Sequence, residues 1–380
     1  MIAFAPSERF TLGVELELQI VDPDTCDLTG KSPEILSRWR GDPQRVSPEI
    51  FQSMIEVNTK PCRTVHEVRA DLLESLNELA RIGDELGVNF AMNGTHPFAH
   101  YTERTLYPSE RYQALIDRNQ IISRRLVIFG VHVHVGMTSG DHCFRMNNQL
   151  LKYLPHLLCL SASSPYWEGL DSGLASSRVT IFESIPTGGH PCLVRDWREF
   201  EELVATLTQA KAITSVKDIW WDVRPSPGFG TLEIRILDGM ATLGEVLALT
   251  ALIQVLCHAI ERGVLPAEAE LPPDWLVREN KWRAARYGVH AELIQNPTGV
   301  SRPFREEMNE LLALLDPLFT EFGYGRERES LALLLNGESG AERQRRQFER
   351  SFDEPGRFKE LVRFLTREFR SSLVREAPGV

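Results

Sequence analysis

Glu15 and Glu17 are separated by one residue, as are His132 and His134, and Glu233 and Arg235. Each pair lies in a segment that alternates apolar with polar residues: Gly13–Ile20 (GVELELQI), Val131–Gly136 (VHVHVG) and Thr231–Leu237 (TLEIRIL). A fourth such segment, Met54–Asn58 (MIEVN), adds Glu56. Period-two alternation is the mark of a half-buried strand, and residues two apart on a strand share a face. Val14, Leu16, Leu18 and Ile20 then enter a core while Glu15, Glu17 and Gln19 lie opposite. By the same rule Glu56 and Asn58, His132 and His134, and Thr231, Glu233 and Arg235 point away from their apolar neighbours. If the four strands share one sheet, its polar face gathers four carboxylates, two imidazoles and a guanidinium. Carboxylates packed together raise one another's pKa unless cations sit among them. Oxygen ligands with an occasional imidazole suit Mg²⁺, with Mn²⁺ as an alternative, whereas zinc favours more His or Cys. A guanidinium beside a metal-binding carboxylate suits phosphate, which it can grip with two parallel hydrogen bonds. The set therefore predicts a metal–triphosphate site on a sheet. The plain alternative is a group of solvent-facing strands. It is weakened by acid pairs and a His-x-His where solvated strands carry Thr, Lys and mixed charge.

The elements that must position these residues are also legible. Helical patterns fall at Thr64–Gly87, Asp196–Ser215 and about 109–128, 142–160, 241–262, 303–321 and 356–374. Thr64-x-x-Glu67 and Asp196-x-x-Glu199 each read as a helix start. Strands that alternate, and that are not regularly separated by single helices, favour an antiparallel sheet. The expectation is an α+β fold with helices packed on one face of that sheet. Residues 264–275 (VLPAEAELPPDW) read as the one linker, and Glu342–Arg350 (ERQRRQFER) as a solvated helical face.

Composition narrows the partners. With 42 Lys and Arg against 53 Asp and Glu, the formal net charge of the 380 residues is −11. That disfavours nucleic acid and anionic membranes, both of which attract basic surfaces, but not a nucleotide held by a few local cations. The first residues, MIAFAPSERFTLG, lack the basic start and apolar run of a signal peptide. No apolar stretch reads as a membrane span; the richest, Ala241–Ile260, carries Glu245, Gln254 and His258. The six cysteines show no C-x-x-C spacing and read as reduced thiols, so a cytoplasmic protein is expected. Thr29-Gly30-Lys31-Ser32 is no P-loop, because Thr25 stands where the motif needs Gly.

Seven segments together resemble the type 2 glutamate–cysteine ligase family of carboxylate–amine ligases. They are Gly13–Pro23, Glu56–Thr59, Gly130–Gly136, Ser163–Trp167 (SSPYW), Lys217–Pro225 (KDIWWDVRP), Phe229–Asp238 and Asn280–Arg286 (NKWRAAR), in order across about 10–290. The family's opening strand often reads Glu-Glu-Glu; here the middle position is Leu16, which alternation sends to the core. The resemblance implies a single ligase catalytic domain over 1–380, with a helical part over about 291–380. It implies a glutamine synthetase/guanido kinase-like catalytic sheet that binds ATP with Mg²⁺ and forms a γ-glutamyl-type amide through an acyl phosphate. Mapped by position, Glu15, Glu17, Glu56 and Glu233 look like metal ligands, with His134 rather than His132 as the imidazole ligand or nucleotide contact. Arg235 looks like the phosphate clamp. Arg178 and Arg224 are candidates for a substrate carboxylate, with Arg283 and Arg286 behind them, and for each of the four a surface ion pair is the plainer reading. Glutamate and an amine such as cysteine are the implied substrates, and a homodimer is the default assembly on frequency alone. Two other readings stand beside this one. A metal-dependent hydrolase would use His132 and His134 as a ligand pair, and a non-catalytic protein would bind a metal or nucleotide on the acidic sheet.

Overall fold

The computed structural model describes residues 2–266, 271–350 and 356–373. Its centre is a seven-stranded sheet of β1 (Leu12–Val21), β2 (Val46–Pro48), β3 (Met54–Asn58), β4 (Asn89–Ala91), β5 (Gly130–Gly136), β6 (Val223–Ser226) and β7 (Thr231–Asp238). The order is β6-β7-β5-β1-β3-β2, with β4 also on β1, and every pairing in this sheet is antiparallel. The four alternating segments thus occupy adjacent central positions. Three strands carry too little alternation to announce themselves. Two of them, β2 and β4, are three residues long, and β6 holds Pro225, which is tolerated because β6 is an edge.

The apolar face of the sheet is covered by helices. Helix α1 (Val65–Leu86) buries Val68, Leu72, Leu76 and Leu79 in the same cluster as Val14, Leu16 and Leu18. The Thr64 side chain accepts from the Glu67 amide at its start, and Gly87 ends it at φ 66°. The Glu67 carboxylate reaches back to the Arg63 amide, one residue earlier than a reciprocal box requires. The expected helix over 142–160 is broken into Gly140–Leu150 and Leu154–Ser161, the second with Pro155 in its first turn. The one over 109–128 is likewise split, into Glu110–Asn119 and Ile121–Arg124, and the one from Asp196 stops at Gln209. A short helix, α2 (Ser177–Phe182), lies on the polar side instead.

Helix α3 (Leu243–Glu261) is long and apolar enough to cross a membrane by composition, which corrects the expectation that no stretch reads as a span. In the structure it is a core element: Leu247, Leu249, Ile253 and Leu256 are buried beneath the sheet. The linker expectation also changes. Residues 267–270 lie outside the described residues, but Asp274 already starts a helix that runs to Tyr287. Helix α4 (Gly340–Arg350) is not merely a solvated face, since Ala341 and Gln344 are buried and Arg343 pairs with Glu245.

Candidate active site

Register places the polar side chains in rows. Across the sheet Glu15 faces Asn58 on β3 and His132 on β5, and Glu17 faces Glu56. His134 faces Glu233, which in turn faces Arg224 on β6. A β-bulge between Ile234 and Leu237 adds one residue to β7, so Asp238 pairs with Gly130 and Arg235 sits at the irregularity. The result is a cleft of about 1150 Å³ lined by Glu15, Glu17, Glu56, His132, His134, Arg178, Arg224 and Arg235 among others. Glu233 is 1% exposed and forms the floor beneath Arg224 and Arg235.

The carboxylates do not form one cluster but two. Glu15, His134 and Glu233 bring one ligand atom each within 4.8 Å of one another, and so do Glu17, Glu49 and Glu56. Glu15 and Glu17, on the same face of β1, join the two sets. His134 Nε2 lies 3.0 Å from Glu15, and its Nδ1 lies 2.8 Å from the Thr231 hydroxyl, which fixes the ring. His132 sits deeper, with Nδ1 3.0 Å from Glu15 and 3.3 Å from Arg235. That makes it a wall between Glu15 and Arg235, while His134 completes a ligand set.

Glu49 was not singled out from the sequence. It follows a three-residue strand whose Val-Ser-Pro carries no readable alternation, so no pattern marks it. Its one sequence signal is chemical: an acid seven residues before Glu56.

The two sets differ electrostatically. Burial and the neighbouring Glu56 and Glu17 push the Glu49 carboxyl well above the usual carboxylate range. Burial and the nearby Glu15 raise Glu56 to about 7, against hydrogen bonds from Asn58 and Ser47. Burial also opposes ionisation of Glu233, but the Arg224 and Arg235 guanidinium groups and His134 outweigh it and hold the carboxyl well below that range. Burial disfavours charge on His134, yet Glu233 and Glu15 raise its pKa. Burial, followed by Arg235, lowers that of His132. A divalent cation in the Glu17, Glu49 and Glu56 set would relieve the repulsion that keeps protons there. Three carboxylates in one set, and two with an imidazole in the other, are donors that fit Mg²⁺ or Mn²⁺.

The arginines divide by what they already hold. Arg224 donates to Glu233 at 2.7 Å and to the carbonyls of Lys217 and Ile219, which leaves little of its fork free. Arg235 donates to Glu233 through Nη1, and its buried Nε has no partner among the described residues. Arg178, 2% exposed, donates to the Arg235 carbonyl at 3.3 Å from both terminal nitrogens, and its Nε is also unpartnered among them. Both guanidinium groups lie over the Phe182 ring, at 5.7 Å for Arg178 and 5.9 Å for Arg235. Trp220 stacks parallel to Phe182 and lines the cleft, whereas Trp221 is buried against Phe200. Arg283 and Arg286, the weaker candidates for the clamp, are bonded to Glu279, as an ion pair, and to the Gly173 carbonyl, and do not line the cleft.

Comparison with known proteins agrees with this architecture. The family model for glutamate–cysteine ligase family 2 matches residues 11–367. A protein of Bdellovibrio bacteriovorus is 49% identical over 85% of this chain and 86% of its own length. One from Thermobifida fusca is 41% identical over 100% of this chain and 94% of its own. Both bear the name "Putative glutamate--cysteine ligase 2". Among solved structures, a glutamate–cysteine ligase of Francisella tularensis in complex with AMP superposes with a TM-score of 0.71. It is 11% identical, over 97% of this chain and 90% of that one. A bifunctional glutathione synthetase of Pasteurella multocida gives 0.67 at 16% identity, over 96% of this chain and 53% of that one. These two share the fold, an α+β sheet with helices. The chain belongs to glutamate–cysteine ligase family 2 and is a carbon–nitrogen ligase of the glutamate–cysteine type.

Proposed function

We propose that the enzyme uses ATP and Mg²⁺ to join the γ-carboxylate of glutamate to the amine of cysteine, releasing ADP and phosphate. The observation that carries this reading is the pair of ligand sets meeting at Glu15 and Glu17, with two partly unpartnered arginines beside them. A carboxylate does not react with an amine in water, because it is anionic and has no adequate leaving group. Phosphoryl transfer to that carboxylate gives an acyl phosphate, whose phosphate can leave when the amine attacks. Glu15, His134 and Glu233 would hold one divalent cation, and Glu17, Glu49 and Glu56 another. Mg²⁺ there supplies neutralisation of phosphate charge.

The remaining work belongs to the chain. Arg235, clamped by Glu233 and His132, presents its remaining donors to the transferred phosphoryl group, where negative charge gathers as bonds change. Arg224 holds Glu233 in place. Arg178 presents its guanidinium to a substrate carboxylate. Phe182 and Trp220 form an apolar wall that keeps those arginines from bulk water, which strengthens their grip on anions. The whole chain acts as one catalytic unit, with the helical C-terminal part bracing the cleft.

The hydrolase alternative is less well served, because His132 is committed to Glu15 and Arg235 rather than paired with His134 around one ion. ADP release measured with glutamate, cysteine and Mg²⁺ separates the readings. Release that needs both amino acids supports the ligase. ATP left unconsumed under every combination would sink it, in favour of a hydrolase or a binding protein.

A further inference from the structure

Asp238 ends β7 and is completely buried, yet it touches no part of the cleft. Its carboxylate accepts three hydrogen bonds: from the Ser163 amide at 2.9 Å, the Ser164 hydroxyl at 2.6 Å and the Ser176 hydroxyl at 2.8 Å. Two of these donors, Ser164 and Ser176, lead towards Arg178. The Ser164 oxygen accepts from the Arg178 amide at 3.1 Å, and the Ser164 carbonyl accepts from the Ser177 amide at 2.9 Å. Ser176 caps α2, the helix that carries both Arg178 and Phe182 into the cleft. Gln344, on helix α4, donates to the Ser163 carbonyl at 2.6 Å from a buried position. Two glycines give the space that this arrangement needs. A Cβ on Gly94 would meet the Asp238 carboxyl at 2.7 Å, and one on Gly130 would meet an Arg178 Nη at 2.1 Å.

We propose that Asp238 is a positioning residue for Arg178, and that helix α4, through Gln344, holds the same node. The inference rests on the reading of Arg178 as a clamp for a substrate carboxylate. A buried carboxylate is costly when an apolar side chain would fill the space, so its charge calls for a reason. Arg178, buried and short of partners, supplies one, because the opposite charge compensates it across the serine node. Burial pushes the Asp238 carboxyl up, while Arg178 and the serine donors pull against that. The arrangement also gives the C-terminal helices a task, since they fix the wall from which Arg178 projects.

Asp238→Asn keeps the shape and most hydrogen bonds but removes the charge, and Gln344→Leu removes only the link from α4. Glutamate binding is measured by calorimetry with Mg²⁺ and a non-hydrolysable ATP analogue, and turnover by ADP release. Asp238→Asn should weaken glutamate about tenfold in both Kd and KM, with the KM for ATP nearly unchanged, and Gln344→Leu about threefold. Leu331→Ala, a buried site in the helix Gly325–Asn336, should lower Tm without moving either constant. Wild-type glutamate affinity in both node variants would overturn the proposal. If Asp238→Asn fails to fold, the Gln344→Leu result decides. If the wild type shows no dependence on glutamate, it is the ligase reading that fails. Crystal structures of the variants then decide the node: a displaced Arg178 guanidinium supports it, and an unmoved one overturns it.

Discussion

Arg235 and Glu17 make different demands on their side chains, and each can be tested alone. Arg235 binds Glu233 and His132 through Nη1, while its buried Nε has no partner among the described residues. Lysine would carry the charge without the fork and could not serve both sides at once. Arg235→Lys should therefore lower kcat by about tenfold or more while the fold survives, read from steady-state rates alongside a melting curve. Activity close to wild type would remove Arg235 from phosphoryl transfer. Glu17 lies with Glu49 and Glu56 in a set whose oxygens are within 4.8 Å of one another. Like charges at that spacing cost about one to several kcal/mol per pair, depending on the local dielectric. Glu17→Gln removes one charge, and its carbonyl oxygen can still accept from the Gly130 amide as the carboxylate does. In EDTA the mutant should melt at or above the wild-type temperature, with most activity and the Mg²⁺-induced rise in Tm both lost. A mutant that is destabilised yet fully active would show that Glu17 is scaffold.

At the scale of elements, β5 does two jobs: His132 and His134 face the cleft, and Gly130 leaves room for Arg178. Gly130→Ala would drive a methyl group into the guanidinium, and β5 is too central in the sheet to yield. The expected outcome is a displaced Arg178, glutamate KM raised several-fold, and Tm lowered by a few degrees. Unchanged kinetics would show that Arg178 can move aside without consequence for the substrate. The reading of strand faces from sequence reached this far because each of the four central strands sets apolar side chains on the core face and polar ones on the cleft face, and that two-sidedness writes itself into alternation even where, as in β5, every position is buried. Glu15, Glu17, Glu56, Glu233, His132, His134 and Arg235 could all be placed on one face by that single rule. Glu49 escaped it because β2 spans only Val46–Pro48, too short to show a period. The division of the acids into two sets escaped it too, since it depends on which strands are neighbours and on where the bulge in β7 falls. Asp238 lay inside a recognised segment, but its serine partners come from positions 163 to 176, and nothing local in a sequence records such a pairing. Residues 264–275 read as a linker, yet the helix Asp274–Tyr287 starts within that span, directly after Pro272 and Pro273. Proline before a helix start is equally a way of beginning one.

Across the whole molecule, stability against pH is the sum of opposed contributions, and the cleft can be separated from the rest. Glu56 is raised to about 7 in the folded state, so folding retains a proton there that the unfolded chain gives up above about 4.5. Metal-free protein should therefore lose stability as pH rises from about 5 to 7, and Glu49 acts in the same direction. His96 acts oppositely. It is 1% exposed, its Nε2 lies 3.0 Å from the Cys26 carbonyl, and its Nδ1 accepts from the Ala99 amide at 3.0 Å. Burial lowers its pKa from 6.5 to about 4, so the unfolded chain binds a proton that the native ring refuses. That contribution is present above about 6.5 and is lost as pH falls towards 4, amounting to roughly 3 kcal/mol at most. With excess Mg²⁺ the cation replaces the protons of the carboxylate set, and ligand binding to the native state adds stability by mass action. Denaturant midpoints between pH 4.5 and 7.5 should then differ in shape. In EDTA the two slopes partly cancel, whereas in Mg²⁺ stability rises with pH through the His96 window. His96→Gln should flatten that rise in Mg²⁺ and leave the fall in EDTA. If Mg²⁺ shifts every midpoint equally at all pH values, the carboxylates hold no protons in the folded protein, and the repulsion inferred for Glu17, Glu49 and Glu56 is absent.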